Sequence, residues 1–278
     1  ALALYNRLSD TVTWKIEWGK SDDRLYLKDH PDLFESILEC SGHLTLKNSR
    51  EPVRFNPGSG SVILVSYLQD EMITCSVVFQ PRKKSGYHPF LFLTPSLILV
   101  DREIFRTEPA AHYEEAGLFN CTVPKEKAGD LYSLFLSSFP GAELKHEDYA
   151  VVKGTRITPE PALILEHIDS SRALHLTIAC SAKEVDLDFL NSYDLNYLVV
   201  ADDTGHTLQV NPLSPCDLDE PAESIEKILK SHQRKSDPQS TYTRIDNLFI
   251  VQPKLALTFL ETELHTILSG FVLIGTAE

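Results

Sequence analysis

Gly19-Lys20-Ser21 has the residue types that end a phosphate-binding loop, where the Lys ammonium reaches the phosphates and the hydroxyl holds magnesium. Such a loop also needs a glycine five residues before Gly19, and Trp14 stands there. Asp22-Asp23 and an apolar alternation follow instead of a helix, and Trp14 and Trp18 would block the close backbone approach that phosphates require. The segment reads as a polar hairpin turn. Asp203-Thr204-Gly205 matches the tripeptide of aspartic proteases, in which two carboxylates share one proton. Residues 198–203 also resemble the strand that presents a magnesium-binding acid in nucleotide hydrolases. Ala201 and Asp202 stand where apolar residues should precede a reactive Asp203, and no second Asp-Thr-Gly or Asp-Ser-Gly exists in the chain. Only a homodimer would supply the second carboxylate, so an Asp- and Gly-rich turn is the plainer reading. A hydrolase using Asp203 stays as the remote alternative.

Ten histidines are scattered through the chain, none at metal-binding spacing. His175 and Glu166 would stand opposite each other in a hairpin, where an ordinary cross-strand polar pair is the plainer reading and a carboxylate–imidazole pair the alternative. Arg82-Lys83-Lys84, with Tyr87 and His88 nearby, is the one dense basic cluster. Basic groups beside an aromatic are one ingredient of single-strand nucleic-acid binding, although in this Pro- and Gly-flanked context a solvated turn is the plainer reading. No catalytic residue, metal ligand or cofactor-binding residue is assigned.

The elements that would position these residues are mostly strands. Residues 161–168 and 173–179 flank Asp169-Ser170-Ser171-Arg172 and read as a β-hairpin. A symmetric turn sets Leu165 opposite Leu176 and Leu163 opposite Ile178. With Leu174 they form one apolar surface that needs a cover. Residues 11–18 and 24–27 alternate as a second hairpin, and Asp29 to Cys40 reads as a short helix closed by Gly42. From Leu44 to Pro109, short apolar runs at 62–68, 72–79, 90–93, 96–100 and 103–106 are separated by breakers, among them Asn56-Pro57-Gly58-Ser59-Gly60. That spacing predicts antiparallel sheets. A helix is expected over 124–139, with Ala128, Leu131, Phe135 and Ser138 on one side and Pro140-Gly141 as its stop, and another over 217–231 with acids first and bases last. Strands at 196–201 and 206–210 flank an acidic turn, and the pattern recurs around Asp101, Asp169, Asp202 and Asp246. The predicted class is α+β, mainly antiparallel hairpin sheets with about four helices, divided into residues 1–110 and 111–278.

Composition narrows the partners. Acidic residues outnumber basic ones by 40 to 26 over 278 residues, a formal charge of −14 and a pI near 5.1. Affinity for nucleic acid comes largely from Lys and Arg releasing counterions, so such a chain is a poor autonomous DNA binder. No apolar run reaches the roughly 18–20 residues that a bilayer span needs. The start lacks the basic and apolar regions of a signal peptide, and the absence of an initiator Met suggests a fragment or a processed chain. Cys40, Cys75, Cys121, Cys180 and Cys216 lie far apart in no Cys-x-x-Cys pair, which predicts buried free thiols in a reducing cytoplasm.

Near the C-terminus, residues 247–251 read as a strand entering a helix at Pro253. Leu257, Leu260, Leu264, Ile267 and Leu268 are placed on one side, and residues 271–275 return as a strand. This segment, with Phe259-Leu260, Ile267-Leu268 and Glu278, resembles the region just upstream of the motor in bacterial Swi/Snf-type helicase-like ATPases. Weaker similarity extends to residues 161–165, to 189–193 and to 30–34. The resemblance implies a β-rich accessory region preceding two ATPase lobes that hydrolyse ATP with magnesium and move on double-stranded DNA. The phosphate loop, magnesium-binding acid and arginine finger belong to those lobes, so no family catalytic residue maps onto this chain. It implies a non-catalytic, cytoplasmic accessory domain whose partners are its own motor lobes or another protein. A free-standing interaction module is the alternative.

Overall fold

In a computed structural model of the protein, residues 52–275 are described, except 83, 84, 169, 170, 184, 203–205 and 268. The hairpin expected around Trp14, the Gly19-Lys20-Ser21 turn, the helix expected from Asp29 to Cys40, and Lys83, Lys84 and Asp203 lie outside the described residues. The fold is α+β. The chain forms two units: one holds the residues up to Val152 with Val199–Gln209, the other Lys153–Leu198 with Val210 onward. The expected division after residue 110 falls within the first.

In the first unit, β1 (Arg54–Gln69) and β2 (Met72–Pro81) form a long hairpin. Its two-residue turn is Asp70-Glu71, both at positive φ, as a right-twisted hairpin requires. Strands β3 (Leu91–Thr94), β4 (Leu97–Val100), β5 (Glu103–Arg106) and β6 (Thr122–Pro124) complete the order β3-β4-β5-β1-β2-β6, and β7 (Glu143–His146) also pairs with β1. Two departures from expectation matter. Asn56 to Gly60 is no breaker, because β1 runs through it with a register shift between Phe55 and Ser59. The Asn56 side chain accepts the Gly58 N–H at 2.9 Å, so the irregularity is satisfied locally. The sheet is also not wholly antiparallel, since β5 and β7 both run parallel to β1.

Helix α1 (Ala128–Ser138) packs on this unit through Tyr132, Phe135 and Leu136. The expected stripe through Leu131 and Ser138 is thus rotated toward Tyr132 and Ser133. Gly141, at φ +75°, turns the chain after the helix, as the Pro140-Gly141 stop suggested. Phe135 meets Phe119 edge-on at 5.3 Å and Phe139 at 5.1 Å, in arrangements that aromatic quadrupoles favour. Ser133 Oγ donates to the Gly129 carbonyl at 2.7 Å and accepts the Val199 N–H at 2.9 Å. A Cβ on Gly129 would lie 2.7 Å from the Val199 carbonyl oxygen, so this approach needs glycine.

The chain passes between the units within β8 (Ala150–Lys153), β11 (Tyr197–Ala201) and β12 (Thr207–Pro212), which pair in the order β11-β12-β8.

In the second unit, β9 (Glu160–Ile168) and β10 (Leu174–Ser181) pair in the expected register, Leu165 opposite Leu176 and Leu163 opposite Ile178. They are flanked by β13 (Tyr242–Ile245), β14 (Leu248–Val251) and β15 (Val272–Gly275) in the order β13-β14-β10-β9-β15. The apolar surface finds its cover in α3 (Asp219–His232), α4 (Pro253–Thr262) and the short α5 (Leu264–Ile267). Ala222, Ile225 and Leu229 of α3 and Leu255, Ala256 and Phe259 of α4 share a core with Leu163, Leu174, Leu176, Ile178 and Phe249. The stripe expected through Leu257 is corrected: Leu257 is 59% exposed. The helix caps at Glu263 before α5 begins, so one continuous period through Ile267 does not apply.

The cysteine reading is also corrected. Cys180, at the end of β10, is disulfide-bonded to Cys216, while Cys75 and Cys121 are free. The two partners are 36 residues apart, and no spacing rule links them. The short helix α2 (Leu187–Ser192) fastens the same point, because Asn191 accepts the Cys180 N–H and donates to the Cys180 carbonyl, both at 2.8 Å. No helix among the described residues is long and apolar enough to cross a membrane.

Candidate functional site

Among the described residues that drew attention in the sequence, Asp202 holds the fold. Asp202 Oδ1 accepts the His206 and Thr207 N–H groups at 3.2 Å each, which ties the end of β11 to the start of β12. His175 does stand opposite Glu166. No group of three His, Cys, Asp or Glu able to hold a metal occurs among the described residues. The Cys75 thiol is 2% exposed and pushed up to about 12 by burial, with the neighbouring Cys121 adding to the rise, so it is not a thiolate at neutral pH.

Glu226 on α3 gathers three side-chain partners. Its carboxylate accepts the Tyr242 hydroxyl at 3.0 Å and Arg244 Nη1 at 2.8 Å from β13, and Lys230 Nζ lies 2.6 Å away on its own helix. Hydrogen bonds from Lys230, then Arg244 and Tyr242, hold its carboxyl at about 2, below the ordinary 4.5. The folded state therefore prefers the ionised form more than the unfolded chain does. That preference stabilises the fold above pH 4.5 and is lost as pH falls toward 2. Solvent screening limits it to about 1 kcal/mol. Acid titration of unfolding should show a steeper loss in this window for the parent than for Glu226→Gln; parallel curves would remove Glu226 as a clamp.

Of the basic cluster, Arg82 is exposed and its N–H donates to the Ser59 carbonyl at 3.0 Å. His88 exchanges backbone hydrogen bonds with Phe79 at 2.9 Å and so belongs to the sheet. Tyr87 is 47% exposed, and the cation near it is Lys145, whose Nζ sits 5.4 Å from the ring centroid. The sequence offered no link between these two residues.

Tyr87 and Lys145 share the wall of a cavity of about 440 Å³ in the first unit with His146, Glu147 and Tyr149, and with Val65, Leu144 and Val151. Strand β7 and the turn after it build this wall. Backbone Glu147 N–H donates to the Ser66 carbonyl at 2.9 Å, and Asp148 Oδ2 accepts the Leu68 N–H at 2.7 Å. The Asp148 N–H donates to His146 Nδ1 at 3.0 Å. The imidazole packs against Tyr149, centroids 4.2 Å apart, and meets Tyr132 edge-on at 6.4 Å. Tyr132 in turn donates its hydroxyl to Ser66 Oγ at 3.0 Å. Burial lowers the His146 pKa, against an opposing pull from Asp148. His146 Nε2 and the Tyr149 hydroxyl are both buried with no hydrogen-bond partner. An unpaired buried donor costs about 1–3 kcal/mol. Two on neighbouring rings mark the least satisfied polar spot described in this unit. The signal in the sequence was the polar run Lys145 to Tyr149, which matches no spacing motif.

No family model matches this chain, and no curated protein matches it.

Proposed function

We propose that the chain is a non-catalytic accessory domain that works by contact. From the resemblance of residues 247–275 to the region upstream of Swi/Snf-type motors, the contact is with the ATPase lobes of its own protein. The observation that carries the non-catalytic part is the engagement of Asp202, Glu226 and Cys75. Two are tied to backbone or side-chain partners that fasten strand ends and helices, and the third is a thiol too basic to ionise at neutral pH. The negative charge supplies a physical mode of action. An acidic surface lying against the basic DNA-binding cleft of a motor lowers its affinity for DNA until it is displaced.

The reading is tested in the intact protein. Deleting residues 1–278 should raise basal ATP hydrolysis or DNA affinity, more at low than at high salt, because the restraint is electrostatic. Unchanged hydrolysis and unchanged DNA affinity would reject it.

A further inference from the structure

We propose that Cys75 and Cys121 form a site of thiol–disulfide exchange, at which a low-molecular-weight disulfide closes a bond between β2 and β6. This goes beyond the contact role given to the whole domain and does not depend on it. Register comes first. Thr74 pairs with Thr122 and Ile73 with Val123 in the antiparallel ladder, and the next step sets Cys75 opposite Cys121, whose carbonyl accepts the Cys75 N–H at 2.8 Å. Opposed residues point to the same face of a sheet. One residue away the ladder shows this directly, because Thr74 Oγ1 and Thr122 Oγ1 meet at 3.1 Å. The cysteines share the other face with Ile73 and Val123. A hydrogen-bonded antiparallel pair holds its Cα atoms about 5.5 Å apart, inside the roughly 4.4–6.8 Å that a disulfide bridges. Closing the bond asks for side-chain rotation and no movement of the strands.

Access and acidity order the steps. Both thiols are free; Cys75 is buried and Cys121 half-buried, so the reagent meets Cys121. Cys121 loses its proton and its sulfur attacks one sulfur of the reagent, which forms a mixed disulfide and releases one small thiolate. The Cys75 sulfur, losing its proton in turn, attacks Cys121 Sγ and expels the second small thiolate. The protein gives up two electrons and two protons, and the reagent is reduced to two thiols. Burial raises the pKa of both cysteines, so each attack waits for a small ionised fraction. This is slow exchange and not turnover chemistry, and in the second step the neighbouring position of Cys75 offsets its weak acidity. The chain already carries the Cys180–Cys216 bond in its second unit, so conditions that close that bond also reach this pair.

The test incubates the folded 278-residue chain with oxidised glutathione, blocks the remaining thiols by alkylation and maps the tryptic peptides by mass. Residues 55–82 and 107–125 are tryptic peptides with one cysteine each. They should appear joined and two hydrogens lighter than their sum. The rate of joining should rise about tenfold per pH unit near neutrality, as the thiolate fraction does. Cys75→Ser leaves no second thiol in place and should keep one glutathione on Cys121. Cys121→Ser changes only the accessible partner and should leave Cys75 unmodified, which keeps the test decisive should Cys75→Ser fail to fold. In the parent, alkylated Cys75 and Cys121, glutathione retained on Cys121, a link from either cysteine to Cys40, or a rate independent of pH would each overturn the proposal. Glutathione on Cys75 of Cys121→Ser would do the same.

Discussion

Breaking the Cys180–Cys216 bond should lower the unfolding free energy of the second unit by about 4 kcal/mol, the chain-entropy value for closing a loop of this length. The bond joins the end of β10 to the segment leading into α3, so its loss frees the approach to the helix that covers the sheet. Cys180 would still be held by the Asn191 amide, which keeps the strand end in place and limits native-state rearrangement. Chemical denaturation with and without reductant is the measurement. The parent should lose stability on reduction, and Cys216→Ala should start low and be insensitive to reductant. Equal midpoints for the oxidised and reduced parent would show that the pairing contributes nothing to the fold.

Phe249→Ala should cost about 3–5 kcal/mol, the range for deleting a fully buried aromatic side chain. Phe249 is inaccessible to solvent on β14, the second strand of the five, opposite Leu176 on one side and Arg244 on the other. The Arg244 guanidinium lies 5.5 Å from its ring centroid, so truncation also removes a contact from the residue that clamps Glu226. Leu257→Ala is the matched control. Its side chain faces solvent, and its removal should stay within about 0.5 kcal/mol. If Leu257→Ala proved as costly as Phe249→Ala, the helix face described for α4 would be wrong and the stripe expected from periodicity right.

The elements that the sequence disclosed share one property: their partners are near in the chain. The β9–β10 register follows from a short turn and period-two alternation, and α3 from an apolar stripe with acids at its start and bases at its end. Elements that depend on distant partners were hidden. β7 has only Leu144 as a buried apolar residue, and its place beside β1 comes from a pairing about eighty residues away in the chain. Asn56 to Gly60 has the composition of a loop, and only β2 and β5 on its flanks make it strand. The phase of α4 could not be chosen from the pattern alone, since both Leu257-Leu260-Leu264 and Leu255-Ala256-Phe259 are apolar at helical spacing. The cavity was missed for the same reason: Tyr87 and Lys145 are far apart in sequence, and the solitary state of His146 Nε2 is a fact about packing. Arg82 to Lys84 drew attention as a basic cluster, yet a cation of β7, Lys145, also lies by the Tyr87 ring.

The parallel pairing of β15 with β9 has a consequence for how the protein is made. Ala162 to Leu165 acquire their second neighbour only when Val272 to Gly275 have been synthesised, more than a hundred residues later. On the ribosome the β9–β10 hairpin can close early, but one rim stays a row of open amide and carbonyl groups until β15 emerges. Nascent chains halted before Val272 should therefore be the species that chaperones hold longest.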